Sequence, residues 1–155
     1  SYDYLWINIR VKGGAYGCMS GFGRSGEGYL VSYRDPNLRE TNAVYEGVTD
    51  YLRNFQADER DMTKFVIGTI SDLDTPLTPS IRGSRGLSAY LSGVTQEMMQ
   101  KERDQVLSAT VEDIRALADI VQAILDTGAF CVVGNEDRIE GAKDLFKETK
   151  NLYQA

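Results

Sequence analysis

Arg10 and Tyr16 stand six positions apart, with Gly13 and Gly14 between them. An arginine carries a permanent charge and several fixed N–H donors, and a tyrosine adds a compact O–H donor. Facing one space, the two would stabilise negative charge developing on an oxygen. The paired glycines allow the chain to turn sharply between them. By residue type alone, the plainer reading is an arginine paired with an acid or a helix C-terminus, and a tyrosine packed on a sheet.

Other constellations carry less. The chain has no histidine, which excludes His-based triads and most hydrolytic zinc sites within it. Gly21-Phe-Gly-Arg-Ser-Gly26 matches the dinucleotide fingerprint, but that site needs a helix after the loop and here a strand-like run follows. A kinase glycine loop does lie between strands, and Tyr33-Arg34-Asp35 imitates part of a catalytic loop. The other kinase motifs are missing and the chain is too short. A tight, twisted hairpin explains these glycines better. Glu97, Glu102, Asp104, Glu112 and Asp113 fall at helix starts and on solvated faces rather than forming a metal or acid–base site. Arg82 and Arg85 suit a plain surface better than an anion site.

The 155 residues suffice for one domain with its own core. A net charge of −6 argues against general nucleic-acid binding. It is compatible with cationic peptides, though mild acidity is common. Cys18 and Cys131 lie far apart without metal-ligand spacing, so a buried pair of reduced thiols is preferred to a disulfide. Neither a membrane-spanning run nor a signal peptide is found. The cytoplasm or an organelle matrix fits best.

Several elements would position these residues. Tyr2, Leu5, Trp6 and Ile9 have helical spacing, and Gly13-Gly14 ends that helix. Ala15–Phe22 and Gly28–Tyr33 read as a hairpin. Asp35-Pro36 opens a helix with Leu38, Thr41, Tyr45, Val48, Leu52 and Phe55 on one face. A second helix begins near Asp58 and buries Met62, Phe65, Val66, Thr69 and Leu73. Thr78-Pro79 opens a third, weakened by Gly83 and Gly86; a short helix starts at Thr95. Thr110 and Asp113 form a capping box for a strong helix ended by Gly128. Phe130–Val133 reads as a buried strand, and Asn135 caps a last helix. The sum is an α+β fold, an antiparallel sheet with helices on one face. Three strands are few for so many helices, so strands from outside the segment are expected to complete the sheet.

Ile9-Arg-Val-Lys-Gly-Gly-Ala-Tyr-Gly17 resembles the signature of the presequence-protease branch of the pitrilysin/insulinase metallopeptidases. Ser32-Tyr-Arg-Asp-Pro-Asn-Leu38 is similar to a second segment of that family, and Ile67-Gly-Thr-Ile70 with Asp72 and Asp74 to a third. The strand and helix after Phe130 fit the end of its domain, so the resemblance spans nearly the whole chain. It implies a single C-terminal domain over residues 1–155 of the mitochondrial-processing-peptidase/pitrilysin type, truncated on its N-terminal side. Two related halves of such an enzyme enclose a chamber. The first half holds zinc on an inverted His-x-x-Glu-His motif, absent here, so zinc and the N-terminal half of the polypeptide are the implied cofactor and partner. The second half supplies an arginine and a tyrosine that reach the substrate, matching Arg10 and Tyr16, with Gly13 and Gly14 in the substrate-binding turn.

The resemblance thus implies part of a zinc metallo-endopeptidase that degrades short unstructured peptides, inactive on its own, with no nucleic-acid or membrane partner. The alternative is a noncatalytic scaffold or assembly subunit of the same family, for which retaining Arg10 and Tyr16 together would serve no purpose.

Overall fold

The computed structural model describes residues 2–153, the side chain of Tyr2 excepted, so the apolar position expected there lies outside them. The chain forms two compact units. One joins the stretch up to Asn54 with the stretch from Ala116 onward; the other is Phe55–Arg115.

The first unit opens with a helix over Tyr2–Lys12, wound in the wide π form. Leu5 and Ile9 are buried on its inner face. Two strands follow, β1 (Gly17–Phe22) and β2 (Gly28–Tyr33), paired antiparallel with Gly17 opposite Tyr33 and Phe22 opposite Gly28. The turn between them closes through Gly23 N–H to the Glu27 carbonyl at 2.8 Å, with Gly26 at φ +88°. The fingerprint-like glycines therefore make a hairpin.

Helices α1 (Arg39–Glu46) and α2 (Val48–Arg53) are one amphipathic run interrupted at Gly47. A side chain at Gly47 would strike the Tyr4 hydroxyl, which donates to the Val44 carbonyl at 3.1 Å. Thr41, Tyr45 and Val48 are buried as the spacing predicts. Asp35 is not the helix cap: the N-cap position is Leu38 and carries no side-chain hydrogen bond. Asp35 instead accepts from Asn37 N–H and the Thr41 hydroxyl, because Pro36 keeps the chain in a turn before the helix begins.

The core of this unit gathers Leu5, Ile9, Ala15, Tyr45, Val48 and Val121, with Cys18 and Leu30 of the hairpin packed against it. Burying a Leu, Ile or Val side chain contributes about 1.5–3 kcal/mol each. Period-2 alternation places Leu30 and Cys18 on the helix side of the hairpin, and Met19, Tyr29, Val31 and Tyr33 on its open face. This is the α+β arrangement expected, with a sheet of only two strands among the described residues.

In the second unit, α3 (Glu59–Leu73), α4 (Pro79–Leu91) and α5 (Gln96–Leu107) start where the caps predict. Asp58, Thr78 and Thr95 each accept from the backbone N–H three residues on. The α3 stripe, however, is not buried: no residue of α3, α4 or α5 is. Phe65 packs its ring against Phe55 at 5.9 Å yet stays 40% exposed. A helix's apolar face is buried only where another surface covers it, and the described residues supply none wide enough.

Helix α6 (Val111–Asp126) carries the reciprocal capping box. Thr110 N–H donates to Asp113 and Asp113 N–H to the Thr110 hydroxyl, and the bonded Asp113 carboxyl is held below its ordinary range. Gly128, at φ +59°, follows its end. Asn135 caps α7 (Glu136–Glu140) as expected. Phe130–Val133 does not form the expected strand and Val133 is 74% exposed, because a strand needs a neighbouring edge to bond with and none among the described residues pairs with it. Both cysteines are free, but the expected buried pair is not seen: Cys18 is half-buried, its thiol pushed up by burial, and Cys131 is exposed on the unpaired run.

Candidate functional site

The opening helix and β1 meet at Gly13-Gly14. Gly14 lies at φ +79°, where a side chain is penalised. A side chain at Gly13 would lie 2.6 Å from the Ile9 carbonyl oxygen. Glycine at both positions lets the chain fold back on the helix end, with Gly14 N–H donating to the Arg10 carbonyl at 3.0 Å and Ala15 N–H to that of Ile9 at 3.2 Å.

This corner brings Arg10 and Tyr16 together. Arg10 Nε donates to the Tyr16 carbonyl at 3.0 Å, and its guanidinium lies over the Trp6 ring at 4.3 Å. Arg10 forms no ion pair among the described residues, so its charge is oriented without being neutralised. Tyr16 is 60% exposed. Its ring leans on Tyr33 at 5.4 Å and the Arg34 guanidinium sits over it at 5.3 Å, while its N–H donates to the Arg34 carbonyl at 3.3 Å. The result is an arginine oriented by the backbone of an exposed tyrosine, both residues on one corner.

The second segment singled out in the sequence, Ser32 to Leu38, braces the first. Asn37 Nδ2 donates to the Gly13 carbonyl at 2.6 Å, and Asp35 fixes Asn37 through its backbone N–H at 2.9 Å. Arg34 takes φ +49° to make this turn, a conformation non-glycine residues rarely adopt. Sequence reasoning missed Trp6, Tyr33, Arg34 and Asn37 as parts of the corner. Extending the hairpin register by one pair sets Arg34 opposite Tyr16, so that much was available in the pattern; the contact of Asn37 with Gly13 was not.

The remaining candidates do not join this corner. Among the carboxylates, Asp113 is a cap, while Glu97, Asp104 and Glu112 are exposed on helix faces. Arg82 and Arg85 are exposed on α4. No three carboxylates or thiols converge among the described residues, and without histidine the donor set does not fit zinc. No helix among the described residues is long and apolar enough to cross a membrane.

Residues 1–136 match the sequence model of the PreP C-terminal domain family. The chain is 46% identical over 153 residues to Protein HypA of Clostridium perfringens, covering 99% of this chain and 16% of that protein. Presequence protease 1, chloroplastic/mitochondrial, of Arabidopsis thaliana is 36% identical over 155 residues, 99% of this chain and 14% of its own length. The mitochondrial presequence protease of Aspergillus oryzae is 34% identical over 156 residues, 100% of this chain and 15% of its own. The chain therefore spans about a sixth to a seventh of the length of these relatives.

Proposed function

The chain belongs to the PreP C-terminal domain family, and from that membership we propose that it is the substrate-contacting portion of a zinc metallo-endopeptidase that degrades short unstructured peptides in a closed chamber. The observation that carries this reading is the corner itself: Arg10 is oriented by the backbone carbonyl of Tyr16 and by the Trp6 ring, and Tyr16 is itself exposed. The guanidinium N–H groups and the phenol O–H donate to the carbonyl oxygen of the bound peptide as negative charge gathers there. Because Gly13, Gly14 and Asn37 fix the corner beforehand, little reorganisation is needed when the peptide arrives. Zinc would be held by the N-terminal half of the same polypeptide, and the isolated segment would be inactive. Cytoplasm or organelle matrix is the proposed location.

The test is cleavage of an unstructured fluorogenic peptide by the longer polypeptide carrying this segment, as wild type, Arg10→Ala and Tyr16→Phe. We expect kcat/KM to fall about a hundredfold or more in each variant. Unchanged cleavage in both would reduce the segment to a scaffold. Absence of cleavage even by the wild type, with the polypeptide folded and zinc-loaded, would favour a noncatalytic assembly subunit.

A further inference from the structure

Arg34 differs from its neighbours in its backbone. Among the described residues it is the one non-glycine residue with positive φ, at +49°. That region crowds a β-carbon against the backbone and usually falls to glycine or asparagine. Strain of this kind clusters where function uses it. The Arg34 backbone does nothing that glycine could not do: its carbonyl accepts from Tyr16 N–H at 3.3 Å. What glycine lacks is the guanidinium, and that group lies over the Tyr16 ring, 5.3 Å from its centre.

The adjacent carboxylate does not claim this cation. Asp35 accepts from Asn37 N–H on one oxygen and from the Thr41 hydroxyl on the other, and Arg34 forms no ion pair among the described residues. A cation over an aromatic face is attracted by the negative side of the ring's quadrupole. Tyr33 supplies a second contact, its ring tilted 56° to that of Tyr16 at 5.4 Å. Glycine at position 17 permits this, since a side chain there would meet the Tyr33 ring at 2.6 Å. Tyr16 is exposed, so burial does not fix its ring and these two contacts must. We propose that Arg34 is a positioning residue: its guanidinium holds the Tyr16 ring in the orientation from which the hydroxyl donates to the substrate oxygen. The inference rests on the catalytic reading of Tyr16 and deepens it. A ring set beforehand gives up little rotational freedom when the peptide arrives. Arg34 acts through that ring and does not touch the peptide.

Steady-state cleavage of an unstructured fluorogenic peptide by the longer, zinc-loaded polypeptide tests this. The variants are Arg34→Gly, Arg34→Lys, Tyr16→Phe, and Arg34→Gly combined with Tyr16→Phe. Glycine suits a positive φ, so Arg34→Gly removes the guanidinium and keeps the turn. We expect kcat to fall about tenfold in Arg34→Gly with KM within about twofold, and Arg34→Lys to recover most of the loss. In the combined variant Arg34→Gly should add nothing to the effect of Tyr16→Phe, because both act through one hydroxyl. Should the glycine variant fail to fold, Arg34→Gln against Arg34→Lys makes the same comparison, with equal demand on the backbone and only one side chain charged. A loss in Tyr16→Phe with none in Arg34→Gly overturns the inference and leaves the catalytic reading standing. No loss in Tyr16→Phe overturns both. A full further loss in the combined variant, or a change confined to KM, makes Arg34 a direct peptide contact and overturns the positioning role.

Discussion

Tyr16 and Arg10 gain their character from small neighbours more than from each other. Gly14, at φ +79°, is the position where substitution is most informative. Gly14→Ala forces a left-handed alanine, and we expect urea denaturation to show a loss of about 1–2 kcal/mol. The same variant in the longer polypeptide would displace Tyr16 from Arg10, so cleavage should fall by more than the stability loss explains. That these residues share one corner was legible in the sequence through the signature around Gly13-Gly14. Residue type alone did not single them out, since arginines and tyrosines of ordinary structural use look the same. Trp6 and Asn37 were not legible because their contacts are made through space, by a ring face and a side-chain amide that no spacing rule encodes.

At the scale of elements, the starts of helices were the most readable feature. Thr78, Thr95, Thr110 and Asn135 all cap as their short polar side chains and downstream apolar runs predict. Thr95→Ala should cost about 1 kcal/mol, seen as a lower midpoint in chemical denaturation, because it leaves Met98 N–H without its acceptor. Asp35 misled because Asp-Pro suits both a helix start and a turn, and the choice is made by Asn37 and Thr41, which claim its two oxygens. Phe130–Val133 has strand composition without strand structure. Local preference supplies the conformation a residue favours, but a sheet partner must supply the bonds. The same reasoning covers α3, whose spacing correctly identifies the apolar stripe while its burial depends on what lies across from it.

For the molecule as a whole, the Arg39–Asp144 ion pair ties distant parts of the first unit. Arg39 forks onto Asp144, 105 positions away, with Nη1 to Oδ2 at 2.8 Å. The guanidinium holds the Asp144 carboxyl below its usual 3.8. A carboxyl whose folded pKa is depressed contributes stability above its unfolded value and loses it as pH falls through the folded one. Thermal unfolding of Asp144→Asn should therefore fall less steeply than wild type on acidification below the usual carboxylate range. The difference should shrink with added salt, since both partners are solvent-exposed. Residues 55–115 depart from and return to this unit, and Arg115 Nε donates to the Phe55 carbonyl at 2.8 Å, joining the two ends of the excursion. A segment whose ends meet can be lengthened, shortened or exchanged without moving the flanking chain. Natural variants should therefore gain and lose residues between Phe55 and Arg115 while the packing of Leu5, Ile9 and Val121 stays constant, making this excursion the place where the lineage is free to experiment.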